Sequence, residues 1–266
     1  WKKINYTMNT KIYATLLTAA TFLCGCSKND VSDPGNGQGA VAFTCSISGT
    51  VDEIATSKAD PQRELPSECI PPTEQLSLVL SSDIGVVGSY EVMSDYDQPL
   101  LTEGSYNAAF SYGDINQEGP NACYFTGSTD FTIVARKTIT QPVSLALANS
   151  IYSLTCTDWF MKYFTDYEFT VRTESGLQTT FDKPVSETDP IFVKAGTKLF
   201  LSGKATKTNG VEIEFQETEI GTTATRTWHT ITIDAGEANE VSINILFNDS
   251  LITADPIDVE LNPDAE

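Results

Sequence analysis

The sequence predicts an all-β protein with two tandem Ig-like β-sandwich (Greek-key) domains behind a lipoprotein signal peptide. From Val41 onward, apolar and polar residues alternate with a period of two in short runs rich in Thr, Ser, Val, Ile and aromatic residues. This alternation is typical of half-buried strands. Gly, Asn, Asp and Pro separate the runs and favour turns. The chain is long enough for two domains of about a hundred residues, the size of an Ig-like domain.

The same pattern places the elements in order along the chain. The first strand is expected at 41–48, and the four prolines that follow predict a loop at 53–73. One helical turn is expected at 158–164, with Asp158 as its N-cap. Further strands are predicted at 76–80, 106–112, 131–134, 143–147, 152–157, 168–173, 191–193, 198–202, 211–215, 227–233, 241–247 and 257–261.

Short motifs recur between the two halves of the chain. Phe131-Thr-Ile and His229-Thr-Ile are each followed twelve residues later by a Val-Ser run, and the offset between the two copies is 98 residues. Gly104 and Gly196 each open a predicted strand, at an offset of 92 residues. The recurrence predicts an N-terminal β-sandwich at 40–148 and a C-terminal one at 149–266. A single large sandwich is the alternative.

Residues 1–25 have the layout of a secretory signal peptide, with Met8 as the expected initiator. The apolar run is shorter than the roughly 20 residues that cross a bilayer. The sequence Leu23-Cys-Gly-Cys26 resembles the lipobox of bacterial lipoproteins, in which the last cysteine is acylated. We therefore expect a lipidated, palmitate-bearing Cys26 and a flexible polar tether over 26–39. A soluble secreted protein is the alternative.

The mature chain is strongly acidic. The sequence has 16 Lys and Arg and 36 Asp and Glu residues, and Lys2, Lys3 and Lys11 leave with the leader, so the net charge becomes −23. Such a chain is repelled by phosphates, which argues against nucleic acid as a partner. We expect contact with the outer membrane through the lipid anchor alone, at the cell surface.

Four cysteines remain behind the lipid anchor: Cys45, Cys69, Cys123 and Cys156. An even number in an oxidising compartment permits disulfides. The local scheme, Cys45–Cys69 with Cys123–Cys156, is one of three pairings, and buried thiols are the alternative. The sequence has no Cys-x-x-Cys motif and no histidine cluster, so we expect no zinc site and no cofactor.

Catalytic chemistry has little support in the sequence. The single histidine, His229, lies in an alternating run and is expected to be structural rather than a catalytic base. The many carboxylates single out no opposed pair of the kind that glycosidases need. We therefore expect no enzyme and assign no catalytic residue.

Two groups of residues are candidate binding sites. Asp114, Asn116 and Glu118 offer oxygen ligands of the type that calcium prefers, although the same residues are common in ordinary turns. The aromatic run that contains Trp159, Tyr163 and Tyr167 has the spacing of buried positions, so the core is its default place; a platform that stacks on sugar rings is the alternative.

Arg63 is a candidate processing site, since it lies in the predicted proline-rich loop, where a trypsin-like protease could cut. Cleavage there would release the first strand together with the lipid anchor and leave a groove. Most arginines in loops have no such role.

Several short motifs together resemble one family. They are Leu65-Pro-Ser67, Leu76-Ser-Leu78, Gly104-Ser-Tyr106, Tyr112-Gly113, Tyr124-Phe-Thr-Gly127, Leu147-Ala-Asn-Ser150, Tyr163-Phe-Thr-Asp-Tyr167 and Gly196-Thr-Lys-Leu-Phe-Leu-Ser-Gly203. The family is a group of lipoproteins of Bacteroides-type bacteria, described as a domain of unknown function and similar in layout to the fimbrillins.

This resemblance implies a fimbrillin-like pilus component or adhesin at the cell surface. Kinship to the fimbrillins also implies strand exchange with other pilus subunits, with 252–261 as the candidate donor strand; the last strand of its own domain is the alternative. Host glycans are a second class of partner. A glycan-binding lipoprotein of an outer-membrane uptake system is the alternative function, and a hydrolase ranks third.

Overall fold

Strands form nearly all of the regular structure in the computed structural model, which describes residues 37–54, 62–182, 188–235 and 243–254. The all-β prediction is confirmed. The first half contains β1 (Gln38–Ser48), β2 (Thr50–Ile54), β3 (Gln62–Glu64), β4 (Ser77–Ser82), β5 (Gly85–Tyr90), β6 (Leu101–Thr102), β7 (Gly104–Tyr112), β8 (Phe125–Ile133) and β9 (Thr138–Leu147). Its short 3-10 turns are Ser67–Cys69, Thr73–Gln75 and Met93–Asp95.

The second half begins at Ser150. It contains β10 (Ser150–Cys156), α1 (Asp158–Tyr163), β11 (Phe164–Thr173), β12 (Gln178–Phe181), β13 (Ile191–Val193), β14 (Lys198–Lys207), β15 (Glu212–Thr222), β16 (Thr227–Ala235), β17 (Ile243–Phe247) and β18 (Ser250–Ala254).

The first half forms a sheet with the strand order β5-β4-β7-β8-β9-β1-β6. Strands β8 and β9 pair at only two positions, Phe125 with Leu147 and Thr126 with Ala146. They diverge beyond those positions, so the sheet bends there into two layers. Phe43 of β1 joins these layers, since its ring lies 5.1 Å from that of Phe110 and 5.6 Å from that of Phe131.

The second half is a sandwich of two sheets. One sheet has the order β12-β11-β14-β15, and the other has the order β13-β10-β16-β17-β18. Buried residues of both sheets share one core, because their strands alternate apolar inward and polar outward residues. Phe160 of α1 lies within this core and stacks on Phe164 at 4.5 Å.

The two halves repeat one strand order. The layer β5-β4-β7-β8 corresponds to β12-β11-β14-β15, and β6-β1-β9 corresponds to β13-β10-β16. The parallel pairing of β1 with β9 has its counterpart in the parallel pairing of β10 with β16. This repetition supports a two-domain organisation, which we retain as a proposal.

The sequence motifs match this repeat only in part. Gly104 and Gly196 precede or open the equivalent strands β7 and β14, in agreement with their predicted correspondence. The offset of 98 residues instead links Phe131 of β8 with His229 of β16, and these strands are not equivalent. Alternating β sequences of similar composition produced that second match.

Residues 50–54 and 62–64, which form β2 and β3, differ most from the prediction. Strand β2 pairs in parallel with β16, where Asp52 faces Thr227, and β3 pairs antiparallel with β2. The sequence prediction assigned these residues to the N-terminal sandwich or to its loop, whereas they complete a sheet of the second half. The two halves therefore share a small core of their own, hereafter the joint core: Val51, Leu65, Cys69, Cys123, Phe125, Leu147, Ile151, Phe192 and Trp228.

The predicted helical turn exists as α1, with a different cap. Thr157 is the N-cap, because its Oγ1 accepts a hydrogen bond of 3.1 Å from the backbone N–H of Phe160. Asp158 is the first helical residue instead. Within the described ranges, no helix is long and apolar enough to cross a membrane.

Candidate functional site

The N-terminal strand is the element closest to the predicted anchor. Cys26 and most of the tether lie outside the described residues, so lipidation stays a prediction. Strand β1 pairs with β9 at nine consecutive positions, from Ala40 to Ser48. The hydroxyl of Tyr96 donates a buried hydrogen bond of 2.9 Å to the carbonyl of Val41. Strand β1 is thus built into the first sheet rather than laid on its surface.

Arg63 lies in a paired strand, although the sequence placed it in an exposed loop. In β3 it faces Val51 of β2. Its guanidinium carbon lies 3.5 Å from the centroid of the Trp228 ring, and its Nη1 lies 3.4 Å from Oε1 of Glu53. The side chain is 26% exposed. Trp228 is itself fixed by a hydrogen bond of 2.8 Å from its Nε1 to Oγ of Ser153.

The three candidate calcium ligands do not converge on one point: Asp114 and Asn116 bond to each other, and Glu118 bonds elsewhere. Asp114 Oδ1 accepts hydrogen bonds from the backbone N–H and the side-chain amide of Asn116, at 2.9 and 3.2 Å, which is an ordinary Asx turn. Glu118 reaches into the second half, where its Oε2 accepts from the hydroxyls of Thr173, at 3.0 Å, and of Ser175.

Glu118 belongs to a clamp between the two halves. The neighbouring Gly119 forms two backbone hydrogen bonds of 2.9 Å with Phe192 of β13. No sequence signal distinguished this glutamate from the other loop carboxylates. In the part of the chain that the structure describes, no group of three or more His, Cys, Asp or Glu side chains could hold a metal ion.

The predicted aromatic platform is smaller than expected. Trp159 is 42% exposed, and its ring meets that of Tyr163 edge-on at 4.8 Å. Lys162 Nζ lies 5.0 Å from the centroid of the Trp159 ring. These three residues form the aromatic patch. Tyr167 is not part of it: it is 5% exposed and packs in the core against Phe160 at 5.4 Å.

Tyr167 faces inward because the chain passes from α1 into β11 at Phe164. Helical spacing would have placed it beside Tyr163, whereas the period of a strand points it at the core.

His229 is fully buried and both of its ring nitrogens have partners. Nε2 accepts a hydrogen bond of 2.9 Å from the backbone N–H of Ala224, so the proton is on Nδ1, which donates to Oδ1 of Asn248 at 2.5 Å. The ring stacks on Phe247 at 5.2 Å. Burial lowers the pKa of His229 below its usual 6.5. These contacts suit a neutral structural histidine.

The four cysteines are distributed over three hydrophobic clusters. Cys69 and Cys123 are buried in the joint core, Cys156 is buried in the second core, and Cys45 packs against the first. Burial raises the pKa of the Cys69 and Cys156 thiols to about 11, and it also raises that of Cys123. The members of each predicted local pair are thus in separate clusters, and the pairing stays a prediction.

Three solved structures show a distant similarity to most of this chain. The fimbrial anchor protein of Porphyromonas gingivalis has 12% identity and a TM-score of 0.40, covering 82% of this chain and 99% of that one. A fimbrial assembly protein of Parabacteroides distasonis has 9% identity and a TM-score of 0.42, covering 84% and 99%. A candidate polysaccharide-binding protein of Bacteroides thetaiotaomicron has 11% identity and a TM-score of 0.41, covering 81% and 97%.

These structural likenesses are too distant to carry an argument about function. No curated protein matches the chain significantly. A family model described as "Domain of unknown function (DUF4493)" matches residues 37–263, in agreement with the resemblance drawn from the sequence motifs. The chain therefore belongs to the DUF4493 family.

Proposed function

We propose that this protein is a lipid-anchored outer-membrane protein of the cell surface with a structural or adhesive role, either a fimbrillin-like pilus component or an adhesin. One observation carries the proposal. The chain that follows the predicted tether enters β1 directly, and after Gly49 it continues as β2 in a sheet of the other half. The segment nearest the anchor is thus built into both halves.

This arrangement suits a protein that is pulled from its anchor. A force applied at Cys26 acts along the chain that enters β1. Because β1 pairs with β9 at nine positions along that direction, the hydrogen bonds of the ladder share the force instead of breaking one at a time.

The contacts of Arg63 favour the uncut form of this protein. A protease binds its substrate as an extended, unpaired segment, whereas the backbone of β3 is paired with β2 and the Arg63 side chain covers Trp228. Cleavage at Arg63 would require β3 to open first. We therefore favour an anchor or adhesin over a subunit that polymerises after processing.

The candidate donor strand also favours an anchor or adhesin over a subunit that polymerises. Residues 252–254 belong to β18, which pairs with β17 of its own sheet, while the rest of 252–261 lies outside the described residues. Their place in β18 supports the alternative that this segment completes its own domain. The expected partners are then other surface components or host glycans, bound without exchange of this strand.

Surface proteolysis of intact cells tests the proposal. We expect the wild-type protein to lose surface peptides while its lipid-linked N-terminal peptide stays with the cells, as mass spectrometry of released and retained fragments would show. The Cys26→Ala variant should stay unprocessed or be released, since lipid chains supply the anchoring. Full protection of the wild type would place it on the periplasmic face and contradict the proposal, and release by a single cut at Arg63 would favour a processed pilus subunit.

Glycan binding by an outer-membrane uptake system is the second candidate function, and the aromatic patch favours it. Trp159 is a large apolar ring left exposed beside Lys162, and such rings stack on sugars. Calorimetry with polysaccharides should show binding that Trp159→Ala abolishes. Val211→Ala, which alters a half-exposed aliphatic residue elsewhere, is the matched control. Equal binding by both variants would remove the patch from consideration.

A further inference from the structure

Strand β5 forms one edge of the first sheet. Along one side it pairs with β4, and no strand in the described part of the chain pairs along its other side. The backbone N–H and C=O groups on that side therefore have no strand partner among the described residues. Such a row of groups fits a second extended strand, because an extended backbone presents donors and acceptors at the same spacing.

Exposed aliphatic side chains surround this edge. Ile84, in the turn that precedes β5, is 88% exposed, and Val86 of β5 is 67% exposed. Val87 and the neighbouring Val79 of β4 are exposed as well. A strand that paired here would therefore bury apolar surface in addition to forming backbone hydrogen bonds.

The edge strands of the two halves differ in charge. Strand β15, at an edge of the second half, is 11 residues long and carries four glutamates, Glu212, Glu214, Glu217 and Glu219. Charged side chains on an edge strand oppose pairing with another chain. Strand β5 has the sequence GVVGSY, with no charged residue and no proline, although 20% of the residues in the chain are charged. Its edge thus lacks the charge that protects β15.

A bulge in β5 determines which of its side chains share a surface. Val86 faces Ser81 of β4 and Ser89 faces Val79, so β5 has one residue more than β4 over this span. Leu80, between the two β4 positions, is buried in the first core, so Val86 and Ser89 both lie on the opposite, outer surface of the sheet. Residues that face each other in an antiparallel pair have their side chains on the same surface. Val86 and Ser89 therefore satisfy this condition for pairing with each other.

We propose that β5 pairs with β5 of a second copy of this chain, antiparallel and related by a two-fold axis. With Val86 of one copy opposite Ser89 of the other, neither Asp83 nor Glu91 faces a carboxylate. A neutral strand suits this edge, because β5 offers no opposite charge to a charged one, and the second copy supplies a neutral strand. The pairing closes at two copies and does not propagate into a filament. The inference rests on the surface role proposed above and gives it a partner.

The expected association is weak in solution. Strand β5 has six residues, so its pairing covers less than the roughly 800 Å² per partner of a standard interface. Two copies also repel each other, since the chain has a net charge of −20. We therefore expect a dissociation constant of about 0.1 mM. Anchored copies on one cell surface are held at a high local concentration, so that weak association is sufficient there.

Sedimentation equilibrium of the full chain, from about 0.01 to about 1 mM, tests the inference. Every sample carries Cys26→Ala, so that no lipid contributes to association. We expect a monomer–dimer equilibrium that strengthens as the salt concentration rises, because salt screens the repulsion between acidic copies.

Two lysine variants form a matched pair. Val86→Lys should weaken dimerisation at least about tenfold, because it places a charge within the paired edge. Val211→Lys alters a half-exposed valine outside β5 and should dimerise at least as well as the unsubstituted chain. Both substitutions change the net charge by the same amount, so the difference between them reports the position of the lysine.

Hydrogen exchange locates the interface. The backbone amides of Gly85–Tyr90 should exchange more slowly at about 1 mM than at about 0.01 mM, whereas those of β15 should not change. The inference is overturned by a chain that stays monomeric, by a dimer whose β5 amides gain no protection, by equal dimerisation of the two lysine variants, or by association that weakens with salt. A surface-exposed protein that fails these tests refutes the β5 pairing alone, whereas full protection in intact cells refutes the surface role.

Discussion

The guanidinium of Arg63 lies over the indole of Trp228, 3.5 Å from guanidinium carbon to ring centroid, and covers the joint core on one side. Trp228 is 1% exposed although it lies at the start of β16, next to the β2 edge. The two side chains are 165 positions apart in the numbered chain. Their contact connects β3, in the first half, with β16, in the last third of the protein.

The first prediction concerns this contact. Arg63→Ala should lower the free energy of unfolding by about 1–2 kcal/mol, because a partly desolvated cation–π contact and the cover over Trp228 are lost together. Urea unfolding followed by circular dichroism measures the change. Lys204→Ala is the control, since its ion pair with Glu168 at 3.3 Å is largely exposed and such pairs contribute little. Equal effects of the two substitutions would contradict the role given to Arg63.

The second prediction concerns acid stability and His229. Its pKa in the folded protein is lowered below 6.5, so the unfolded chain binds the proton more readily. The contribution of neutral His229 to stability is therefore complete above pH 6.5 and is lost as the pH falls through 6.5 towards the folded pKa. Each unit of lowering corresponds to about 1.4 kcal/mol.

The free energy of unfolding is measured for the wild type and for His229→Gln, at about pH 7.5 and about pH 5.5. Because both proteins share the same carboxylates, the difference between them isolates the effect of His229. The variant should be less stable near neutral pH but should lose less on acidification. An equal loss of unfolding free energy in both proteins between these pH values would show that His229 does not titrate in this range.

The third prediction concerns the clamp at Glu118. Glu118→Gln should lower the free energy of unfolding by about 1–2 kcal/mol, since hydroxyls of Thr173 and Ser175 lose a charged acceptor. Asp114→Asn should have a much smaller effect, because Asp114 bonds only within its own exposed turn. Calcium should leave the unfolding midpoint of the wild type unchanged. If calcium raised the unfolding midpoint of the wild type, and neither variant showed that rise, the calcium site in this loop would be supported after all.

The fourth prediction concerns the thiols. Cys69, Cys123 and Cys156 should react slowly with iodoacetamide in the native protein at about pH 8, because burial both shields them and raises their pKa. All three should react rapidly in denaturant. Mass spectrometry of the labelled peptides gives the answer without a reductant. Cysteines that stay unlabelled in denaturant are in disulfides, and the linked peptides then identify the pairing.

Local patterns predicted much of this fold. The period of two placed most strands correctly, and the predicted first strand at 41–48 lies within β1. What they could not predict is which strands meet. Strand β2 is short, and its partner β16 is far along the chain, so no local pattern marks it as part of the second half.

The candidate sites likewise contain features that local sequence patterns predict and contacts that they do not. Burial of His229 followed from its alternating strand, and burial of Tyr167 agrees with the core placement expected for the aromatic run. The alternative sugar platform included Tyr167 because the sequence does not show that the helix ends at Tyr163 and a strand begins at Phe164. The contacts of Glu118 depend on side chains that come from separate strands and loops. Residue types alone do not show which residues distant in sequence come into contact.

The pairing of β2 with β16 also bears on when this protein can fold. Asp52 pairs with nearby Gln62 of β3, but it cannot pair with Thr227 until that residue, 175 positions later, has been synthesised. Strands that wait for such distant partners have high contact order and fold slowly, although the entropy of closing so long a loop grows only with the logarithm of its length. Strand β2 would then take its final place on β16 late, and until that moment this edge of β16 and the indole of Trp228 would be open to chaperones.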